Sequence, residues 1–140
     1  MVEVMGILEA AAYLSFVLGA AFAVYQLRII GRDRQTELIM RVGEFMCTKD
    51  FQEQLCRLWK TDAQDAEGLE REVSYVGLSM IADYSEGLAS LAARHLIKEK
   101  LVKEQYAFGT LWEKIKPWVL AERKEHPNIY ADFERLASKK

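Results

Sequence analysis

Cysteine, proline and histidine are scarce in this chain, with two of each in 140 residues. Two cysteines cannot build a disulfide-rich secreted scaffold. Two prolines and eight glycines exclude a collagen-like or low-complexity chain, and 51% hydrophobic residues exclude global disorder. A basic excess is also missing. The formal net charge is −2, which argues against a dedicated nucleic-acid binder. What is present is enough apolar chain for one ordinary domain with a core of its own.

The most telling absence is local. All nineteen Lys and Arg fall from Arg28 onward, and the two acids before it, Glu3 and Glu9, lie near the start. Ala10 to Leu27 carries no charge, with only Ser15 and Gln26 strongly polar, and Val4 to Leu8 extends the apolar run. A helix needs roughly 20 mainly apolar residues to cross about 30 Å of hydrocarbon, a length this stretch meets. A buried core helix would carry a polar face, and this one has none. Ala21-Phe22-Ala23 resembles a signal cleavage site. The preceding segment, however, has no Lys or Arg, and the apolar run exceeds a typical signal core. The stretch therefore reads as a transmembrane anchor over residues 1–31, spanning about 6–28. Arg28, Arg32 and Arg34, with Arg41 beyond, crowd one end, so the positive-inside rule puts the N-terminus outside and residues 32–140 in the cytoplasm. Tyr13 and Tyr25 stand near the ends of the run, where aromatic belts form. Ala11, Ser15, Gly19 and Ala23 recur every fourth residue, a ridge of small side chains along which two anchors can pack as a homodimer.

Beyond the anchor the chain reads as helix after helix. Leu38, Ile39, Val42, Phe45 and Met46 mark one helical face, and Phe51, Leu55, Leu58 and Trp59 mark another after Thr48 as N-cap. The acidic stretch Thr61 to Gly68 reads as a linker. Leu69, Val73, Val76, Met80, Tyr84, Leu88 and Leu91 then predict one long helix; Gly77 and Gly87 within it point to close packing by a neighbour. The pattern restarts with Leu101, Val102, Tyr106 and Phe108. Leu111, Trp112, Ile115, Trp118 and Val119 give the next stripe, with Pro117 as a kink. Pro127 is placed in the first turn of a last helix carrying Tyr130, Phe133, Leu136 and Ala137. No sustained alternation predicts a strand. The three tryptophans each sit in an apolar stripe and read as core.

Motifs that carry chemistry are missing. There is no G-x-G-x-x-G, P-loop, G-x-S-x-G or H-E-x-x-H, and neither His95 nor His126 has Glu three residues earlier, as di-iron bundles require. Cys47, Cys56, His95 and His126 make a zinc set by count, but not by spacing. The cysteines read as buried free thiols on separate helices, and no metal or cofactor is expected. Asp83, Tyr84, Glu86 and Arg94 form the one polar cluster embedded in a strongly apolar helix. Asp83 and Glu86 share a face three residues apart, so they are the candidate catalytic carboxylates, or else members of a helix–helix salt-bridge network with Arg94, or simply solvent-exposed. Arg94, Lys98, Lys100 and Lys103, partly offset by Glu99 and Glu104, read as a solvated face or an anionic-lipid contact.

Three stretches carry a family resemblance. They are Tyr25-Gln26-Leu27-Arg28 with Thr36-Glu37-Leu38; Tyr84-Ser85-Glu86-Gly87-Leu88 through Arg94-His95-Leu96-Ile97; and Leu111 through Pro117 with Tyr130 through Ala137. Together they resemble an uncharacterised, domain-of-unknown-function family of small prokaryotic proteins with one N-terminal span and a helical cytoplasmic domain. The chain departs from that pattern at His95, where a basic residue followed by Gly is expected, and at Lys98, where an acidic cap is usual. The resemblance implies the architecture and no reaction.

The expectation is therefore an all-α protein, a single transmembrane helix followed by a compact bundle of about five or six helices. It is read as a membrane-tethered, non-enzymatic interaction or scaffold module whose partners are the lipid bilayer, a second copy and an unidentified protein. The alternatives are a membrane-associated enzyme using Asp83, Glu86 and Arg94, and an accessory subunit of a transport or defence system.

Overall fold

The computed structural model describes residues 2–139, and the side chains of all of these except 2–5, 7–10, 105 and 106. Glu3, Glu9, the Val4–Leu8 extension and Tyr106 therefore have side chains outside the described residues. Seven helices and no strand occur among the described residues: α1 (Val2–Met46), α2 (Lys49–Lys60), α3 (Ala66–Val73), α4 (Tyr75–Ala93), α5 (Glu99–Tyr106), α6 (Phe108–Glu122) and α7 (Ala131–Ser138). The protein is all-α, as its periodicity predicts. The chain divides into two compact units, Met1–Leu38 and Ile39–Lys140.

The first unit is a helical rod whose side chains from Ala11 to Arg34 are all exposed. Tyr13, Leu14, Phe16, Val17, Leu18 and Phe22 each leave more than half their surface uncovered. This is the one helix among the described residues long and apolar enough to cross a membrane. Its backbone groups are satisfied internally, the condition hydrocarbon imposes.

The second unit is built around α4, which packs against α2, α3, α5, α6 and α7. Its buried face is Leu78, Ile81, Ala82, Ser85, Leu88, Ala89 and Ala92, a stripe of mostly small residues that lets neighbours approach closely. Trp118, Phe133, Phe108, Leu58, Leu69 and Ile115 fill the space around it. The last turn of α1 joins this core: Phe45 stacks on Tyr84 at 5.3 Å, and the Tyr84 hydroxyl donates to the Val42 carbonyl at 2.8 Å. Of the two helical glycines, Gly77 fits the expectation of close packing, because a Cβ there would collide with the Gln54 side chain. Gly87 does not; its Cβ would meet open space.

Several boundaries differ from the sequence reading. The helix expected from Leu69 to Leu91 is broken at Ser74, whose φ of 81° reverses the chain and whose hydroxyl accepts the Gly77 N–H at 3.2 Å as the cap of α4. The break rotates the second half, so Val76 is 69% exposed and Met80 only half-buried. The acidic linker is shorter than expected, because the Asp65 carboxylate accepts the Gly68 N–H at 2.9 Å and starts α3 inside it. Thr48 does flank α2, but its hydroxyl donates backward to the Phe45 carbonyl and caps nothing in α2. Pro127 lies in a turn ahead of α7, not in its first turn. Pro117 stands inside α6, which continues through it.

Candidate functional site

The three polar residues singled out on α4 do not converge. Asp83 and Glu86 both reach α7, whereas Arg94 is the exposed C-cap of α4 and pairs with neither. What the carboxylates meet is the start of the last helix. Tyr130, at φ 59°, occupies the N-cap position of α7, and its side chain caps nothing there. The first-turn amides, which would otherwise lack partners, are taken by Glu86 instead: Oε2 accepts from Phe133 N at 2.7 Å and Oε1 from Asp132 N at 3.3 Å. Glu86 thus performs the usual N-cap function from a residue 47 positions away. The negative charge also sits at the positive end of the α7 dipole.

Asp83 completes the arrangement by accepting the Tyr130 hydroxyl at 2.9 Å. The Tyr130 phenol is buried, and burial first, then the Asp83 hydrogen bond, raises its pKa far above the ordinary tyrosine range. Arg123, at the end of α6, holds the other side of the turn. Its Nε donates to the Ile129 carbonyl at 3.0 Å and its Nη1 to Glu134 at 2.6 Å, while the guanidinium lies 5.8 Å from the Trp112 ring centre. Arg123 and Tyr130 were not among the sequence candidates. A cluster of this kind clamps a helix: Glu86 holds the α7 amides, Asp83 holds Tyr130, and Arg123 holds Glu134 and the Ile129 carbonyl.

The other sequence-derived residues are dispersed. Ala11, Ser15, Gly19 and Ala23 lie exposed along α1, where the Ser15 hydroxyl donates to the Ala11 carbonyl at 2.8 Å. Arg28, Arg32 and Arg34 are exposed further along the same helix. The cysteines expected to be buried are both exposed free thiols, and Cys47 stands in the turn between α1 and α2 rather than on a helix. Each lies on a solvent-facing position beside a buried or half-buried neighbour (Met46 and Leu55), so apolar periodicity misassigns it by one residue. Trp59, expected in the core, is 39% exposed.

Trp59 instead lines a cleft of about 330 Å³ with Met46, Phe51, Leu55, Tyr84 and Phe108, and Glu104 also borders it. This apolar concavity, between the end of α1, α2, α4 and the α5–α6 junction, had no signal in the sequence beyond a density of aromatic residues. A second cleft, of about 640 Å³, is lined by residues 61–64 with Thr110, Glu113, Lys114 and Pro117, and the Lys114 Nζ donates to the Thr61 carbonyl at 2.7 Å.

These features define an all-helical protein with one membrane-length apolar helix and a bundle whose polar cluster serves its own packing. The chain belongs to the family described as Domain of unknown function (DUF4760), whose model matches residues 13–139. No curated protein and no solved structure matches it.

Proposed function

We propose that this protein is a single-pass membrane protein, N-terminus outside, that holds its helical bundle at the cytoplasmic face as a non-enzymatic interaction module. The observation that carries the anchoring is the apolar surface of α1: the stretch from Ala11 has none of its membrane-length window buried by the rest of the chain. Left in water, such a surface would be strongly unfavourable; in lipid it is at rest. The orientation rests on Arg28, Arg32 and Arg34 at one end of that stretch.

Two observations support an interaction role over catalysis. Asp83 and Glu86 are hydrogen-bonded to Tyr130 and to the amides of α7, and neither lines the two clefts described above. The open apolar cleft beside Trp59 offers contact area with one carboxylate at its edge, the composition of a recognition surface. Pairing of two anchors along Ala11, Ser15, Gly19 and Ala23 belongs to the same reading; a Cβ at Gly19 meets nothing within one chain.

A reporter active only in the cytoplasm, fused after Lys140, tests the topology. A membrane-fraction signal is expected, and a soluble product or an external reporter overturns the assignment. Gly19→Ile in a membrane two-hybrid assay of the full chain tests the pairing, and an unchanged signal removes it.

A further inference from the structure

The turn between α4 and α5 has a shape that the bundle itself does not use. Three backbone bonds close the end of α4: Arg94 N–H to the Ser90 carbonyl, His95 N–H to Ala92 and Leu96 N–H to Leu91, at 3.0–3.1 Å. This is the Schellman arrangement, with His95 at φ 58° in the place where glycine is usual. Ile97 then inserts into the core at 3% exposure and pins the turn. With Ile97 held inside, Leu96 is left 48% exposed and Leu101, in the first turn of α5, 39% exposed.

Around these two leucines stand exposed Arg94, Lys98 and Lys100. The acids nearby are compensated. Glu99 is bonded to Lys139 at 3.1 Å and lies 3.8 Å from Arg135, while Glu104 offsets Lys100 at 3.6 Å, so the net positive charge of the turn comes from Arg94 and Lys98. Lys103 is turned to the Lys139 carbonyl and adds its charge to the same neighbourhood. Exposed leucines set among bases are the composition of an interfacial contact: the apolar groups enter the headgroup boundary, and the bases meet anionic lipid.

We propose that the Arg94–Leu101 turn docks on the anionic surface of a bilayer, giving the bundle a membrane contact besides its anchor. The proposal rests on the membrane reading above for its setting. The leaflet facing a cytoplasmic domain is the anionic one, and a tether on the same chain raises the effective concentration of that surface for the bundle.

The test uses the full chain, reconstituted into phosphatidylcholine vesicles with or without phosphatidylserine. An environment-sensitive fluorophore is placed on Leu96→Cys after Cys47→Ser and Cys56→Ser. A blue shift and brightening only with phosphatidylserine, reversed by high salt and reduced by a factor of about ten or more in Lys98→Glu/Lys100→Glu, are expected. The same spectrum in both vesicle types overturns the proposal, as does an equal shift with soluble polyglutamate and no lipid. Flotation in a density gradient separates the two readings. Flotation with both vesicle types but no spectral shift leaves the anchor standing and the docking surface refuted. Flotation with anionic vesicles only, accompanied by the shift, supports the docking surface and refutes the anchor. Flotation with neither refutes both.

Discussion

Replacing Glu86 tests whether the carboxylates of α4 serve structure. Its two oxygens take the Phe133 and Asp132 amides, and α7, only eight residues long, has no capping side chain of its own. A helix of that length does not persist without tertiary support. Losing a cap costs about 1 kcal/mol, and hydrogen bonds to a charged acceptor contribute about 1.5–3 kcal/mol. Glu86→Gln keeps one acceptor and loses the charge–dipole attraction, so a loss of about 1 kcal/mol is expected; Glu86→Ala leaves both amides open and should lose about 2–3 kcal/mol. Burial of Phe133 and Leu136, each with no exposed surface, contributes about 1.5–3 kcal/mol apiece. That exceeds the Gln loss, so α7 stays docked in Glu86→Gln and frays in Glu86→Ala. Urea unfolding in detergent micelles followed by circular dichroism gives the two losses. Hydrogen exchange should show the fraying at the amides of Asp132 and Phe133 first. Unchanged stability and exchange in Glu86→Ala would refute the capping argument, and a cellular defect in such a variant would return the carboxylate to the list of candidate reactive groups.

Further outcomes follow from single residues. His95→Gly should raise stability by about 1 kcal/mol, visible as a melting temperature about 4 °C higher or more, because a Cβ in the left-handed region is strained. Gly87→Ala should stabilise α4 by about 1 kcal/mol, whereas Gly77→Ala should give no gain because its Cβ meets the Gln54 side chain; equal effects at the two sites would contradict the packing described. Since Tyr130 ionises far above the ordinary value of 10.0 in the folded chain, its contribution is whole below that pH and declines above it, where the unfolded chain gives up the proton first. Stability should therefore fall progressively as the pH rises above about 10, and more gently in Tyr130→Phe. Both cysteines should react with a thiol reagent in the native protein, at rates unchanged by denaturant too dilute to unfold it.

The parts of the fold legible in the sequence are those set by periodicity within one helix. The stripe Leu111, Trp112, Ile115, Trp118 and Val119 is buried throughout, as its spacing predicts, and the uncharged run is exposed helix from Ala11 to Leu27. The break at Ser74 was hidden because a serine that caps a helix and a serine within one look alike until the backbone turns. All four described residues with positive φ, Ser74, His95, Ala107 and Tyr130, lie at helix junctions and none is glycine, so the usual marker of such joints is absent. The carboxylate pair on α4 was visible, but not its use. Its partners lie 46 or 47 residues onward in a turn whose amides carry no sequence signature. The cleft is a gap between elements distant along the chain, and a gap has no residues of its own to read.

The position of α7 also sets an order of assembly. The unit's opening segment, through Phe45, and its closing segment, through Phe133, both complete their packing only near the middle of the chain, on α4 or on helices that surround it. During synthesis the bundle cannot close when α6 emerges, because Trp112, Phe108 and the small-residue face of α4 still lack the helix that covers them. Helix α7 thus acts as a latch on α4 and α6. A chain cut before α7 would leave Phe108, Trp112 and the face of α4 open to solvent, a state that invites proteolysis or aggregation.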